Sequence, residues 1–132
     1  MKFADYLKTV NVLIATPMYG GVCYSDYVVG LLDLHHQAHQ LGMGLQYRTL
    51  VNESLINRAR NTLAGFFHAS TATHMLWIDA DVGFKAMDVL RLLAAGEDVI
   101  CGAYPLIVGW EIRPSSVIPV RSTWKAIAPV NC

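Results

Sequence analysis

Apolar and polar positions fall into blocks along this chain, and the period of each block predicts its element. Residues 10–16, VNVLIAT, form a continuous apolar run rich in β-branched side chains. Such a run predicts a strand buried on both faces. Pro17-Met18-Tyr19-Gly20-Gly21 breaks it with turn residues. Ser25 or Asp26 is placed to cap a helix reaching about Leu41, with Val28, Leu31, Leu32, Ala38 and Leu41 on its inner side. Gly42 stops that helix. Residues 43–50 predict a second strand. Asn52 reads as the N-cap of a helix reaching about Ala69, with Leu55, Ile56, Ala59, Leu63, Phe66 and Phe67 as its apolar stripe. HMLWI, residues 74–78, predicts a third strand that ends on Asp79-Ala80-Asp81. Residues 86–95 predict a short helix closed by Gly96, and 99–103 a fourth strand.

Strands and helices alternate with short connections, the pattern of an α/β fold with a Rossmann-like, mostly parallel sheet and flanking helices. Residues 1–105 make up that domain. The tail, 106–132, reads differently. Pro114, Pro119 and Pro129, with Pro105 just before them, deny it ladder donors and helical backbone angles. It is expected to be irregular, with an edge strand near 116–120. Leu106, Ile107, Val108, Trp110, Ile112, Val117, Ile118, Trp124 and Ile127 make it too apolar to stay in water. It is expected to pack on the domain or in a homo-oligomer.

Composition narrows the function classes. At 132 residues the chain is one domain, and 54% hydrophobic against 15% charged residues excludes disorder. Ten basic residues balance ten acidic ones. A general electrostatic grip on nucleic acid or anionic lipid is therefore not expected, and any bound anion needs a local site. The longest stretch free of Asp, Glu, Lys and Arg, 61–78, contains Asn61, His68 and His74. A bilayer segment needs about 20 mostly apolar residues, so no membrane span is expected. The first residues lack a signal-peptide cleavage pattern. Cys23, Cys101 and Cys132 form no Cys-x-x-Cys pair, which leaves a reducing cytoplasm as the expected setting.

Chemistry concentrates where the strands end, because ligands of parallel α/β sheets bind beyond the carboxyl ends of the strands. Asp79 and Asp81 stand two apart, so in an extended chain both carboxylates project to one side. Two close like charges raise each other's pKa unless a cation neutralises them. A hard divalent metal shared with substrate phosphates meets that need. The plainer account of Asp-x-Asp alone is one turn-capping and one solvated residue. The preceding helix carries Asn57-Arg58-Ala59-Arg60-Asn61, with Ser54, Arg58 and Asn61 on one flank of its stripe and Arg60 on the other. Either arginine near a phosphate edge is a candidate anion ligand, though such residues also snorkel at surfaces. His35, His36 and His39 lack zinc spacing, and His74 and Trp77 read as packing residues.

Four blocks taken together, VLIATPMYGG, SLINRARNTLAGFF, HMLWIDADVGF and DVICGAYP, resemble the GT-A glycosyltransferases. The resemblance is greatest to the family 2-like and Anp1-type nucleotide-diphospho-sugar transferases, and it covers about residues 10 to 105. It implies a nucleotide-diphosphate-sugar donor and an acceptor that the sequence does not identify. It implies that Thr16, Pro17 and Tyr19 line the nucleoside pocket and that Arg58 or Arg60 reaches the nucleotide. Asp79 would face the ribose or the metal, and Asp81 would ligate Mn²⁺ or Mg²⁺. The chain departs from the family in its short second half, where the acceptor site and the base of inverting members belong. After Asp98 the only carboxylate side chain is Glu111, the candidate base. The alternatives are a non-catalytic nucleotide or nucleotide-sugar binding module, or a truncated, inactive fragment. A haloacid-dehalogenase-type phosphotransferase ranks behind these, since Asp81-Val82-Gly83 lacks the threonine of its Asp-x-Asp-x-Thr motif.

Overall fold

The computed structural model describes residues 2–102 and the backbone of 125–127. Its elements in chain order are α1 (Phe3–Leu7), β1 (Asn11–Met18), α2 (Ser25–Leu41), β2 (Gly44–Val51), α3 (Ile56–His68), β3 (His74–Trp77), α4 (Ala86–Ala95), β4 (Val99–Ile100) and β5 (Lys125–Ile127). The sheet runs in the order β2-β1-β3-β5-β4, and every pairing in it is parallel. An α/β architecture with a parallel sheet is therefore what the chain builds.

The apolar run 10–16 becomes the central strand for a simple reason: its side chains divide between two cores. Val12 and Ile14 pack with Leu34, Ala38, Val89 and Leu93 beneath α2 and α4. Leu13 and Ala15 pack with Leu63, Phe67 and Met75 beneath α3. Each fully buried aliphatic side chain contributes about 1.5–3 kcal/mol over its exposed state. The strand paired on both sides and covered on both faces is thus the most secure element.

Several boundaries differ from expectation, each for a local cause. Asn52 is not a helix cap: it takes a left-handed conformation, φ 61°, and turns the chain out of β2. The Glu53 carboxylate then accepts the Leu55 N–H at 3.1 Å, and α3 begins only at Ile56. Only Ala59, Leu63 and Phe67 of the expected stripe are buried, while Leu55, Ile56 and Phe66 are exposed. α2 starts at Ser25, but neither Ser25 nor Asp26 caps it; its N-cap is Tyr24, without a side-chain cap. The helix buries Tyr27, Gly30, Leu34 and Ala38, which leaves Val28 and Leu32 outside. Strand β5 lies between β3 and β4, so β4 is not the neighbour of β3. The expected edge strand near 116–120 lies outside the described residues.

α1 was not foreshadowed by any periodicity. It buries Leu7 and brings the Tyr6 hydroxyl to 3.1 Å from Nε2 of His74, whose Nδ1 is 2.8 Å from the Thr73 hydroxyl. His74 is buried at the amino end of β3, away from the strand ends where ligands bind, and its role there is structural.

Candidate functional site

The chain leaves β1 through α2 to reach β2 on one side, then crosses through α3 to β3 on the other side of β1. A parallel sheet opens a crevice where its strand order reverses in this way, beyond the carboxyl ends of the two diverging strands. Both ends carry the residues singled out above. β1 runs into Pro17 and Met18 and then a single 3₁₀ turn, Tyr19–Gly21. Gly20 and Gly21 both have positive φ, 73° and 71°, so a side chain at either would strain the turn. β3 ends in Asp79-Ala80-Asp81. Between them lies a cleft of about 340 Å³ lined by Pro17, Tyr19, Val22, Tyr24, Glu53, Ser54, Ile56, Asp79, Ala80 and Asp81.

The acidic loop is fixed by backbone and by close packing. Ile78 N–H donates to the Ala15 carbonyl, Val82 N–H to Asp79, and Tyr24 N–H to Ala80 at 2.8 Å. Phe84 then seats against Gly30 of α2, edge-on to Tyr27 with ring centroids 6.3 Å apart. Gly83 passes so near the first turn of α2 that an added Cβ would stand 2.9 Å from that of Asp26. α2 therefore positions both carboxylates.

Asp79 and Asp81 stand in different surroundings. Asp81 is exposed, whereas the Asp79 side chain keeps only 16% of its accessibility. Burial pushes the Asp79 carboxyl above its ordinary range; Arg60 offsets part of this, and Asp81 adds to it. Arg60 Nη2 lies 3.5 Å from Asp79 Oδ1, and the guanidinium carbon lies 5.9 Å from the Trp77 ring centroid. Its Nε is buried with no hydrogen-bond partner among the described residues.

The expected site residues separate into three groups. Pro17, Tyr19, Asp79 and Asp81 come together in the cleft, and Arg60 reaches it through Asp79. Thr16 is fully buried and shares a 2.7 Å hydrogen bond with the Tyr27 hydroxyl, so it backs the site without lining it. Arg58 is mostly exposed and lies 3.5 Å from Glu53, so it reaches the cleft only through that carboxylate. Glu111, with Trp110 and Trp124, lies outside the described residues. The segment after Leu50 is expected on this edge from the sequence, but Glu53 within it was not singled out, and Tyr24 was not anticipated. The signal for Glu53 is its position just past β2, on the same sheet edge.

The donor set suits a hard cation only in part. Asp79 and Asp81 offer carboxylate oxygens, the chemistry that Mn²⁺ and Mg²⁺ prefer. Among the described residues no group of three or more His, Cys, Asp or Glu side chains is arranged to hold a metal. Two carboxylates are too few to hold such an ion alone, so it would have to draw its remaining ligands from a bound molecule. A second cavity, about 370 Å³, is lined largely by Leu76, Ile78, Val82, Phe84, Val89 and Leu92. Its charged residues, Asp88 and Arg91, pair with each other at 3.1 Å, so it offers apolar surface and little chemistry. Among the described residues no helix is long and apolar enough to cross a membrane. Comparisons with protein-family models, curated proteins and solved structures find no match.

Proposed function

We propose that this chain binds a nucleotide-diphosphate sugar in the Asp79–Asp81 cleft and transfers the sugar to an acceptor, as a glycosyltransferase of GT-A type or as the donor-binding half of one. The observation that carries the reading is the meeting of Asp79 and Asp81 with Pro17 and Tyr19 across the strand-order reversal. The cleft has an acidic floor and an apolar rim, Tyr19, Val22, Tyr24 and Ile56 all being exposed. A nucleotide sugar offers matching parts: a flat base for the rim, and a diphosphate that a divalent cation joins to the floor.

Asp79 and Asp81 would hold Mn²⁺ or Mg²⁺. When bound, such an ion stabilises negative charge on a departing nucleoside diphosphate. The chain's own residues do the rest. Tyr19 and Tyr24 offer aromatic faces to the base, and the clamped turn, closed by Val82 N–H on the Asp79 carbonyl, holds both aspartates at the cleft. Glu111 remains the candidate base from sequence. The setting proposed is a reducing cytoplasm, where the Cys23 and Cys101 thiols stay reduced.

Thermal-shift measurements with uridine, guanosine, cytidine and thymidine diphosphate sugars, with and without Mn²⁺, test the reading. One nucleotide series should raise the melting temperature in a Mn²⁺-dependent way, and slow donor hydrolysis or sugar transfer should follow for that series. No stabilisation by any of them overturns it. Stabilisation without turnover favours the non-catalytic binding module.

A further inference from the structure

We propose that Arg60 is a built-in counterion that makes cation and diphosphate binding mutually dependent; the inference rests on the reading just given. The guanidinium sits 3.5 Å from Asp79 Oδ1, with its carbon 5.9 Å from the Trp77 ring centroid. It partly neutralises a carboxylate that a cation would need. A guanidinium remains charged at every working pH, so it cannot yield by losing a proton. It must move or gain an anion.

Charge balance says which. The cleft carboxylates Glu53, Asp79 and Asp81 and the guanidinium groups of Arg58 and Arg60 paired with them together carry one net negative charge. A divalent cation alone turns that to one net positive charge, with two cations crowded on a half-buried carboxylate. Arg60 therefore opposes the metal when it comes alone. A diphosphate reverses the sign again and offers oxygen acceptors to a fork whose Nε has no partner among the described residues. Each ligand then raises the affinity of the other by the same factor, since coupling is reciprocal. Arg60 acts as a positioning residue for Asp79 before binding and as a diphosphate contact after it. Arg58 is mostly exposed and pairs with Glu53, not with Asp79, so it does not oppose a cation on that carboxylate.

Mn²⁺ binding followed by the electron paramagnetic resonance of the free ion tests this, with and without inorganic pyrophosphate. The Mn²⁺–pyrophosphate complex in solution is common to all proteins compared and cancels. Arg60→Gln should bind Mn²⁺ alone more tightly than the parent, while the gain from pyrophosphate shrinks by about fivefold or more. Arg60→Lys, which keeps a cation, should resemble the parent in both respects. A merely structural role would weaken both kinds of binding in both variants. Should Arg60→Gln lose its circular-dichroism spectrum, Arg60→Met keeps an unbranched stem against Trp77 and carries the same expectations. Unchanged Mn²⁺ affinity and an unchanged pyrophosphate gain in these variants overturn the inference and leave the metal site standing. If the parent binds Mn²⁺ no better than Asp81→Asn under either condition, the metal reading falls, and the inference with it.

Discussion

Phe84 is seated in the notch left by Gly30: a Cβ at Gly30 would stand 2.6 Å from the Phe84 carbonyl oxygen and 2.9 Å from its ring. The contact joins the middle of α2 to the loop that carries both site carboxylates. Because a backbone atom is the obstacle, no side-chain rotation relieves it. Gly30→Ala should cost about 1–3 kcal/mol, typical of overpacking, and should loosen the 79–85 loop. Urea denaturation checks the first effect, and faster amide exchange at Val82 checks the second. An unchanged midpoint would mean the notch is not filled.

Thr16 makes a separate prediction, because its hydroxyl points into the core and not into the cleft. Thr16→Val keeps the shape and leaves the Tyr27 hydroxyl without its 2.7 Å partner. A buried group left unsatisfied costs about 1–3 kcal/mol. Stability should fall by that amount, while nucleotide affinity stays within about twofold once the protein is folded. Loss of affinity at constant stability would restore Thr16 to the pocket wall.

The raised pKa of Asp79 sets a pH trend for the metal-free protein. Its carboxyl holds a proton more strongly in the folded state than in the unfolded chain, chiefly through burial. Between those two pKa values the folded state binds more protons, so the Asp79 contribution to stability falls as pH rises through the window and is constant above it. Asp79→Asn removes that contribution. The difference in melting temperature between variant and parent should therefore move in favour of the variant as pH increases from the ordinary aspartate range. A difference independent of pH would deny the shift.

Tyr19 is 70% exposed yet lines the cleft. An aromatic platform contributes about 1–3 kcal/mol when a base stacks on it. Tyr19→Ala should weaken nucleotide binding by that amount and change stability by less than about 0.5 kcal/mol. Calorimetric titration beside a melting curve separates the two effects.

Legibility in the sequence followed the strength of local signals. α4 and its stop at Gly96 were readable to the residue, because a clear apolar period met a glycine in the left-handed region, φ 68°. Asn52 misled because the same short side chain serves N-caps and left-handed turns. The inner face of α2 misled because apolar residues occur nearly all round it. The position that admits Phe84 is Gly30, which a count of apolar side chains overlooks. Strand β5 depends on pairing across the chain that no local pattern announces. For the site, the two carboxylates and Tyr19 were readable from their places at strand ends. Arg60 could be told from Arg58 only once the path of α3 put one beside Asp79 and the other beside Glu53.

In the proposed function a divalent cation on the acidic loop holds the diphosphate of the ligand. Calorimetric titration of the nucleoside diphosphate whose sugar stabilises the protein, into the parent and into Asp81→Asn with and without Mn²⁺, tests it most directly. Asp81 is exposed and has no ion-pair or hydrogen-bond partner among the described residues, so the substitution should leave the fold intact. The account predicts that Mn²⁺ tightens binding by the parent about tenfold or more, equal to about 1.4 kcal/mol, and does nothing for the variant. Equal tightening in both proteins would contradict it.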